Sequence, residues 1–227
     1  MKKTLNPVPS KTELILGSIY LVIQWLFLPT VIVLLFGNKL SVTRLNCLLF
    51  AVNFAVTVLI FHKFLQRSAE AFVKAPGKGL LAAGKGLGIY WLASVPVSYL
   101  ILLLDPEFAN INDANIAVMV SEDFGLMAFC TVLLVPVAEE LLYRGIFFGG
   151  IHNRSPIMAF VCSAMIFSII HVVAYVGMYP PKTLLLCFLQ YIPAGVALAW
   201  SWAHSGNILS ALLMHISINA VGIFAMR

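Results

Sequence analysis

The chain has 227 residues, 61% of them hydrophobic and 10% charged, with a net charge of +5. A soluble domain carries about 25% charged residues, and a mean hydropathy of +0.99 lies far to the membrane side. Composition thus excludes a large soluble domain, and the continuous apolar runs exclude a transmembrane barrel, whose strands alternate polar and apolar positions.

About 20 apolar residues cross the hydrocarbon core of a bilayer. Windows of that kind follow one another at 14–36, 46–64, 84–104, 124–151, 156–176, 184–203 and 207–225. The expected fold is all-α, a polytopic transmembrane helical bundle of about seven spanning helices. The first window follows Lys2, Lys3 and Lys11. It is too long for the apolar region of a signal peptide and lacks a small-residue exit, so it is expected to stay as the first helix. The basic stretch 65–83 fits a surface helix on the inner leaflet or a cytoplasmic loop. Within it, Gly79 to Gly86 comes near a phosphate-binding loop, but the Ser or Thr is missing and no strand precedes it. Those glycines are assigned to close helix packing. Turn signals separate the later windows at Asp105-Pro106, Asn153 to Pro156, Gly177 to Pro181 and His204 to Asn207. Cys47, Cys130, Cys162 and Cys187 lie in apolar segments without CxxC spacing and read as core residues.

In such a chain the positive charge speaks of orientation, not of nucleic acid. With the N-terminus inside, the cytoplasmic segments hold Lys2, Lys3, Lys11, Lys63, Arg67, Lys74, Lys78, Lys85 and Arg154, nine cations. The outer segments hold Lys39, Arg44, Lys182 and Arg227, four cations. A multi-pass protein of the cell membrane with a cytoplasmic N-terminus is expected.

The segment from Phe129 to Arg144 is apolar except for Glu139, Glu140 and Arg144. Each charge at bilayer depth costs about 2.5–3.5 kcal/mol, so such a cluster must pair or face a wet cavity. Glu140 and Arg144 stand at i,i+4, the spacing at which a carboxylate meets a guanidinium. Adjacent helical residues point about 100° apart, which leaves Glu139 to face a cavity, with Tyr143 at i+4 as a hydrogen-bond partner. Pro136 removes a helical hydrogen bond and should open the helix there. Counting from a turn at Arg154, Glu139 and Glu140 lie 15 and 14 residues back and His171 lies 17 forward, nearly the same depth. His215, about ten residues from its own turn, matches less well. Phe167 shares a helix face with His171, and Asn219 with His215, where its amide could orient the ring or donate to an oxyanion. His62, His152 and His204 fall near predicted membrane ends and are read as non-catalytic.

Glu139-Glu140-x-x-x-Arg144, Phe167-x-x-x-His171 and His215-x-x-x-Asn219 together resemble the three-motif signature of the CPBP family, the CAAX proteases and bacteriocin-processing enzymes also called the Abi family. The resemblance covers about 124–225. It implies an intramembrane endopeptidase with a CAAX-protease-like helical core at 124–227, preceded by about three N-terminal membrane helices in 1–123. It implies Glu139, Glu140, His171, His215 and Asn219 as site residues, with Arg144, Phe167 and Tyr143 in support. Family members related to the Ras-converting enzyme cut behind a prenylated cysteine. Bacterial members are linked to pheromone and bacteriocin maturation or to self-immunity.

Two mechanisms fit the residues. In one, His171, His215 and Glu139 hold a Zn²⁺ whose bound water attacks the peptide carbonyl. In the other no cofactor takes part, and Glu139 takes the proton from water while the histidines and Asn219 bind water and oxyanion. The absence of an H-E-x-x-H pair favours the second. The expected partners are a peptide or protein substrate, met near the inner membrane face, and the lipid bilayer. A non-hydrolytic immunity protein or sensor-kinase regulator on the same fold, with a membrane-protein partner, is the alternative reading.

Overall fold

The computed structural model describes residues 4–227. Among them every regular element is helical. Helix α1, Lys11–Leu26, opens with a capping box in which Ser10 and Glu13 satisfy each other's backbone amides. It meets α2, Leu28–Phe36, at a bend of 49° next to Pro29. Then follow α3, Val42–Lys74, and α4, Pro76–Leu104. Helix α5, Ile111–Glu122, is short and starts at Asn110, whose side chain caps the amides of Asn112 and Asp113. Four spans complete the chain: α6, Phe124–His152; α7, Pro156–Val172, extended by one 3₁₀ turn; α8, Pro181–Ser205; and α9, Ile208–Ala225. Among the described residues six helices are long and apolar enough to cross a membrane, seven if the bent α1–α2 pair is one span.

Two sequence expectations change here. The stretch 65–83 is neither a loop nor a separate surface helix. It is the end of α3 and the beginning of α4, with only Ala75 between them. Pro76 allows so sharp a break because it sits at the first helical position, where its missing N–H costs nothing. A Cβ on Gly79 would lie 2.3 Å from the Phe72 ring, so glycine lets the two helix ends close on each other. The acidic connection 105–123 is mostly helix, and this α5 reaches into the site.

The protein is apolar on its outside as well as its inside. Leu34, Leu92 and Ile157 are 79%, 78% and 80% exposed, the pattern of helices that face lipid. The main core is built on Trp202 of α8, whose ring meets Phe64 of α3 at 5.9 Å and Phe148 of α6 at 5.3 Å. Side chains from both sides of residue 123 thus share one interior. Where α7 and α8 cross, Gly195 lies so near α7 that an added Cβ would stand 2.7 Å from the Ala164 Cα. That contact fixes α7, and with it Phe167 and His171.

Candidate active site

Helix α6 is not a regular α-helix. Cys130–Leu134 and Glu140–Gly149 run in the wider π register, on either side of a short α segment that contains Pro136. The Val135 amide bonds to the Cys130 carbonyl, one residue further back than in an α-helix. The next amide should serve Thr131, but position 136 is proline and has none. The Thr131 carbonyl is therefore free, and it accepts a hydrogen bond from Asn219 Nδ2 of α9 at 2.8 Å. The expected opening at Pro136 is thus the socket that holds α9 against α6.

The same crossing brings His215 to the two glutamates. Its Nδ1–H donates to Glu140 Oε1 at 2.8 Å, and its Nε2 lies 3.8 Å from Glu139 Oε2. The adjacent carboxylates do point apart, and they address opposite nitrogens of one ring. Depth counting set His171 beside the glutamates, and it does share the cavity with Glu139; the close contacts nevertheless fall to His215, because α9 crosses α6 at the Thr131 socket.

Glu140 also pairs with Arg144 at i,i+4, and both are fully buried, with side chains 1% and 2% exposed. The guanidinium carbon lies 4.6 Å over the Phe167 ring, which ties α7 to the pair. Glu140 is thus committed to one cation and one imidazole N–H. Glu139 is half-buried, and its Oε2 has no hydrogen-bond partner. Tyr143 does not pair with Glu139. Its hydroxyl accepts from Gln24 of α1 at 2.7 Å, since the π register carries position 143 toward α1.

His171 Nδ1–H donates to the Phe167 carbonyl at 2.7 Å, which leaves Nε2 as an acceptor. Its ring is held between Phe167, at 4.6 Å, and Tyr191 of α8, stacked at 4.1 Å and 22°. The Tyr191 hydroxyl donates to Asp113 at 3.1 Å and accepts from Asn112 at 3.2 Å, so α5 steadies His171 through Tyr191. Burial pushes the Asp113 carboxyl above the usual carboxylate range, against the opposing effect of the Tyr191 hydrogen bond. The Tyr191 and α5 contacts were not drawn from the sequence. The available signals were the polar pair Gln190-Tyr191 inside an apolar run and the Asn110-x-Asn112-Asp113 cap.

Glu139, Phe167, His171, His215, Asn219 and Thr131 line one cavity of about 600 Å³. Glu139 also borders a second, apolar cavity of about 350 Å³ next to Gln24 and Tyr143. Among the described residues no three His, Cys, Asp or Glu side chains form a set able to hold a metal ion, and this includes His171, His215 and Glu139. His152, expected at a solvated membrane end, is buried beside Phe148.

Residues 121–221 match the family described as type II CAAX prenyl endopeptidase Rce1-like. The match takes in less than half of the chain. The match holds all three motifs and α6 to α9 almost entirely, so the resemblance read from Glu139 to Asn219 is borne out. The chain is also similar to the UPF0177 protein YxdF of Lactococcus lactis subsp. lactis (strain IL1403), 24% identical over 144 residues, 59% of this chain and 75% of the relative. No solved structure matches. The apolar spanning helices make the chain a multi-pass membrane protein, and the family it matches is one of endopeptidases.

Proposed function

We propose that the protein is an intramembrane endopeptidase that hydrolyses a peptide bond with water activated by Glu139. One observation carries this reading. Each of the two adjacent carboxylates keeps one oxygen without a hydrogen-bond partner, but Glu140 is paired with Arg144 and His215 away from the cavity, while Glu139 lines the cavity that holds His171 and Asn219. A structural ion pair needs only one glutamate, and a second one at this depth is costly unless it works on water or substrate.

In the proposed reaction, water enters the cavity and gives a proton to Glu139 as its oxygen attacks the peptide carbonyl. The Nε2 acceptor of His171 orients that water. An amide NH₂ has two hydrogens; one from Asn219 is bound to Thr131, and the other donates to the tetrahedral oxyanion. Glu139 then passes its proton to the departing nitrogen, the C–N bond breaks as the oxyanion re-forms the carbonyl, and an amine and a carboxylic acid leave. Glu140 holds the His215 ring, whose Nε2 faces Glu139. General-base catalysis of this kind contributes about 10²–10⁴-fold.

The test is reconstitution in lipid with a mixed library of quenched fluorescent peptides. Wild type is compared with Glu139→Gln and His171→Ala. Cleavage by wild type that is lost in both variants supports the reading. Equal activity in all three refutes it.

A further inference from the structure

The cavity lies at one end of the bundle, and the chain direction says which. It is lined by Thr131 and Val135 from the first half of α6, by Glu139 near its middle, and by His171 and Tyr175 at the end of α7. It continues with Gln190 and Tyr191 from the first half of α8, and with Asn219 to Met226 at the end of α9. Asn112, Asp113 and Asn115 of α5 close the same end. Every one of these positions except Glu139 lies toward the turns at 37–41, 105–110 and 176–180. The opposite end holds the turns at Ala75, Asn153 and Gly206.

Charge divides along the same axis. The end away from the cavity carries Lys11, Lys63, Arg67, Lys74, Lys78, Lys85 and Arg154, with Lys2 and Lys3 preceding α1 in sequence. The cavity end carries Lys39, Arg44, Lys182 and Arg227, and with them Asp105, Glu107, Asp113, Glu122 and Asp123. Lysine and arginine collect on the cytoplasmic side of short membrane loops. The end with seven cations among the described residues, against four, is then cytoplasmic, and the cavity lies at the other.

We infer that the cavity opens to the non-cytoplasmic face, and that the substrate is a peptide chain presented there. The sequence placed the substrate near the inner face; the cavity's position and the sequence's own charge count together move it across the membrane. The chemistry of the mouth suits a peptide. Asn112, Asn115 and Gln190 offer carboxamides that can both donate to and accept from a backbone, and among the described residues no lysine or arginine lines the cavity. The word substrate rests on the hydrolase reading above; the direction of opening does not.

Single cysteines with a membrane-impermeant maleimide test this on the full chain in intact cells. The natural Cys47, Cys130 and Cys187 are buried, and Cys162→Ala removes the half-buried fourth. In that background Asn115→Cys reports the mouth, Ser121→Cys the exposed end of α5, and Ala69→Cys the exposed far end of α3. The expected result is that Asn115→Cys and Ser121→Cys react in intact cells as fully as after permeabilisation, while Ala69→Cys reacts only after it. Reaction of the α5 thiols only after permeabilisation overturns the inference, as does reaction of Ala69→Cys in intact cells. Silence of Asn115→Cys beside a reactive Ser121→Cys overturns it too, because the cavity would be shut to that face. Labelling needs no hydrolysis. An outward-reactive protein that cleaves no peptide refutes the proposed function and leaves the direction of opening standing.

Discussion

Glu139 and Glu140 are neighbours in sequence with opposite expected burdens. The Glu140 side chain is 1% exposed and accepts from Arg144 and from His215 Nδ1 at 2.8 Å. Glu140→Gln removes the negative charge and leaves the Arg144 guanidinium buried without a counter-charge. Breaking one partner of a buried pair costs about 3–5 kcal/mol. That is roughly 10²–10⁴ in the folded ratio, and a large share of a total stability of about 5–15 kcal/mol. Glu139 is 19% exposed, with a single contact at 3.8 Å and an oxygen without a partner. Glu139→Gln should change stability by less than about 0.5 kcal/mol, the range of substitutions that break no buried network, while removing the proposed general base. Thermal unfolding in detergent reads the first effect, and peptide hydrolysis in lipid reads the second. Glu140→Leu with Arg144→Leu together should recover most of the stability that Glu140→Gln loses, since replacing both charges removes the uncompensated one. The reasoning is refuted if Glu140→Gln unfolds with the wild-type Tm, or if Glu139→Gln destabilises as much as Glu140→Gln.

Three further outcomes are expected. Asn219→Leu strands the Thr131 carbonyl and should cost about 1–3 kcal/mol; in a Pro136→Ala background the new amide at 136 can serve that carbonyl, so the cost should shrink in a double-mutant cycle read by thermal unfolding. Gly195→Ala would set a methyl 2.7 Å from the α7 backbone and should cost about 1–3 kcal/mol as overpacking, whereas Gly88→Ala, with open space around it, should be neutral or gain up to about 1 kcal/mol of helix propensity. Acid titration of Tm should separate two carboxyls of opposite sign. The folded Asp113 value is raised by burial, so its contribution to stability is fullest below the unfolded carboxylate range and declines as pH rises through the raised value; Asp113→Asn should flatten that decline. Glu122 is held low by hydrogen bonds from Ser41 and Thr43, so its contribution is present above the unfolded value and is lost as pH falls through the lowered one; Glu122→Gln should remove that loss.

Sequence alone determined the solvent, the spanning helices and the intramembrane charged and imidazole groups of this protein. Sixty-one per cent hydrophobic residues and unbroken apolar runs leave only spanning helices, because backbone polar groups in lipid must bond within their own segment. Intramembrane acids and imidazoles are expensive enough to stand out against that background, which made Glu139, Glu140, His171 and His215 visible. The Glu140–Arg144 pair was also legible, because i,i+4 geometry is local to one helix.

Tertiary structure decided every relation between helices. That His215 and not His171 contacts the glutamates, that Asn219 grips Thr131, and that α5 steadies His171 through Tyr191 all depend on crossings set by packing. A depth count gives the height of a residue in the bilayer; it carries no information on the rotation or tilt of its helix. Those follow from close approaches such as Gly195 on Ala164 and from the π turns beside Pro136, which shift every later side chain of α6 around the helix axis. The end at which the cavity lies likewise emerged only when seven distant stretches of chain were seen to line one space.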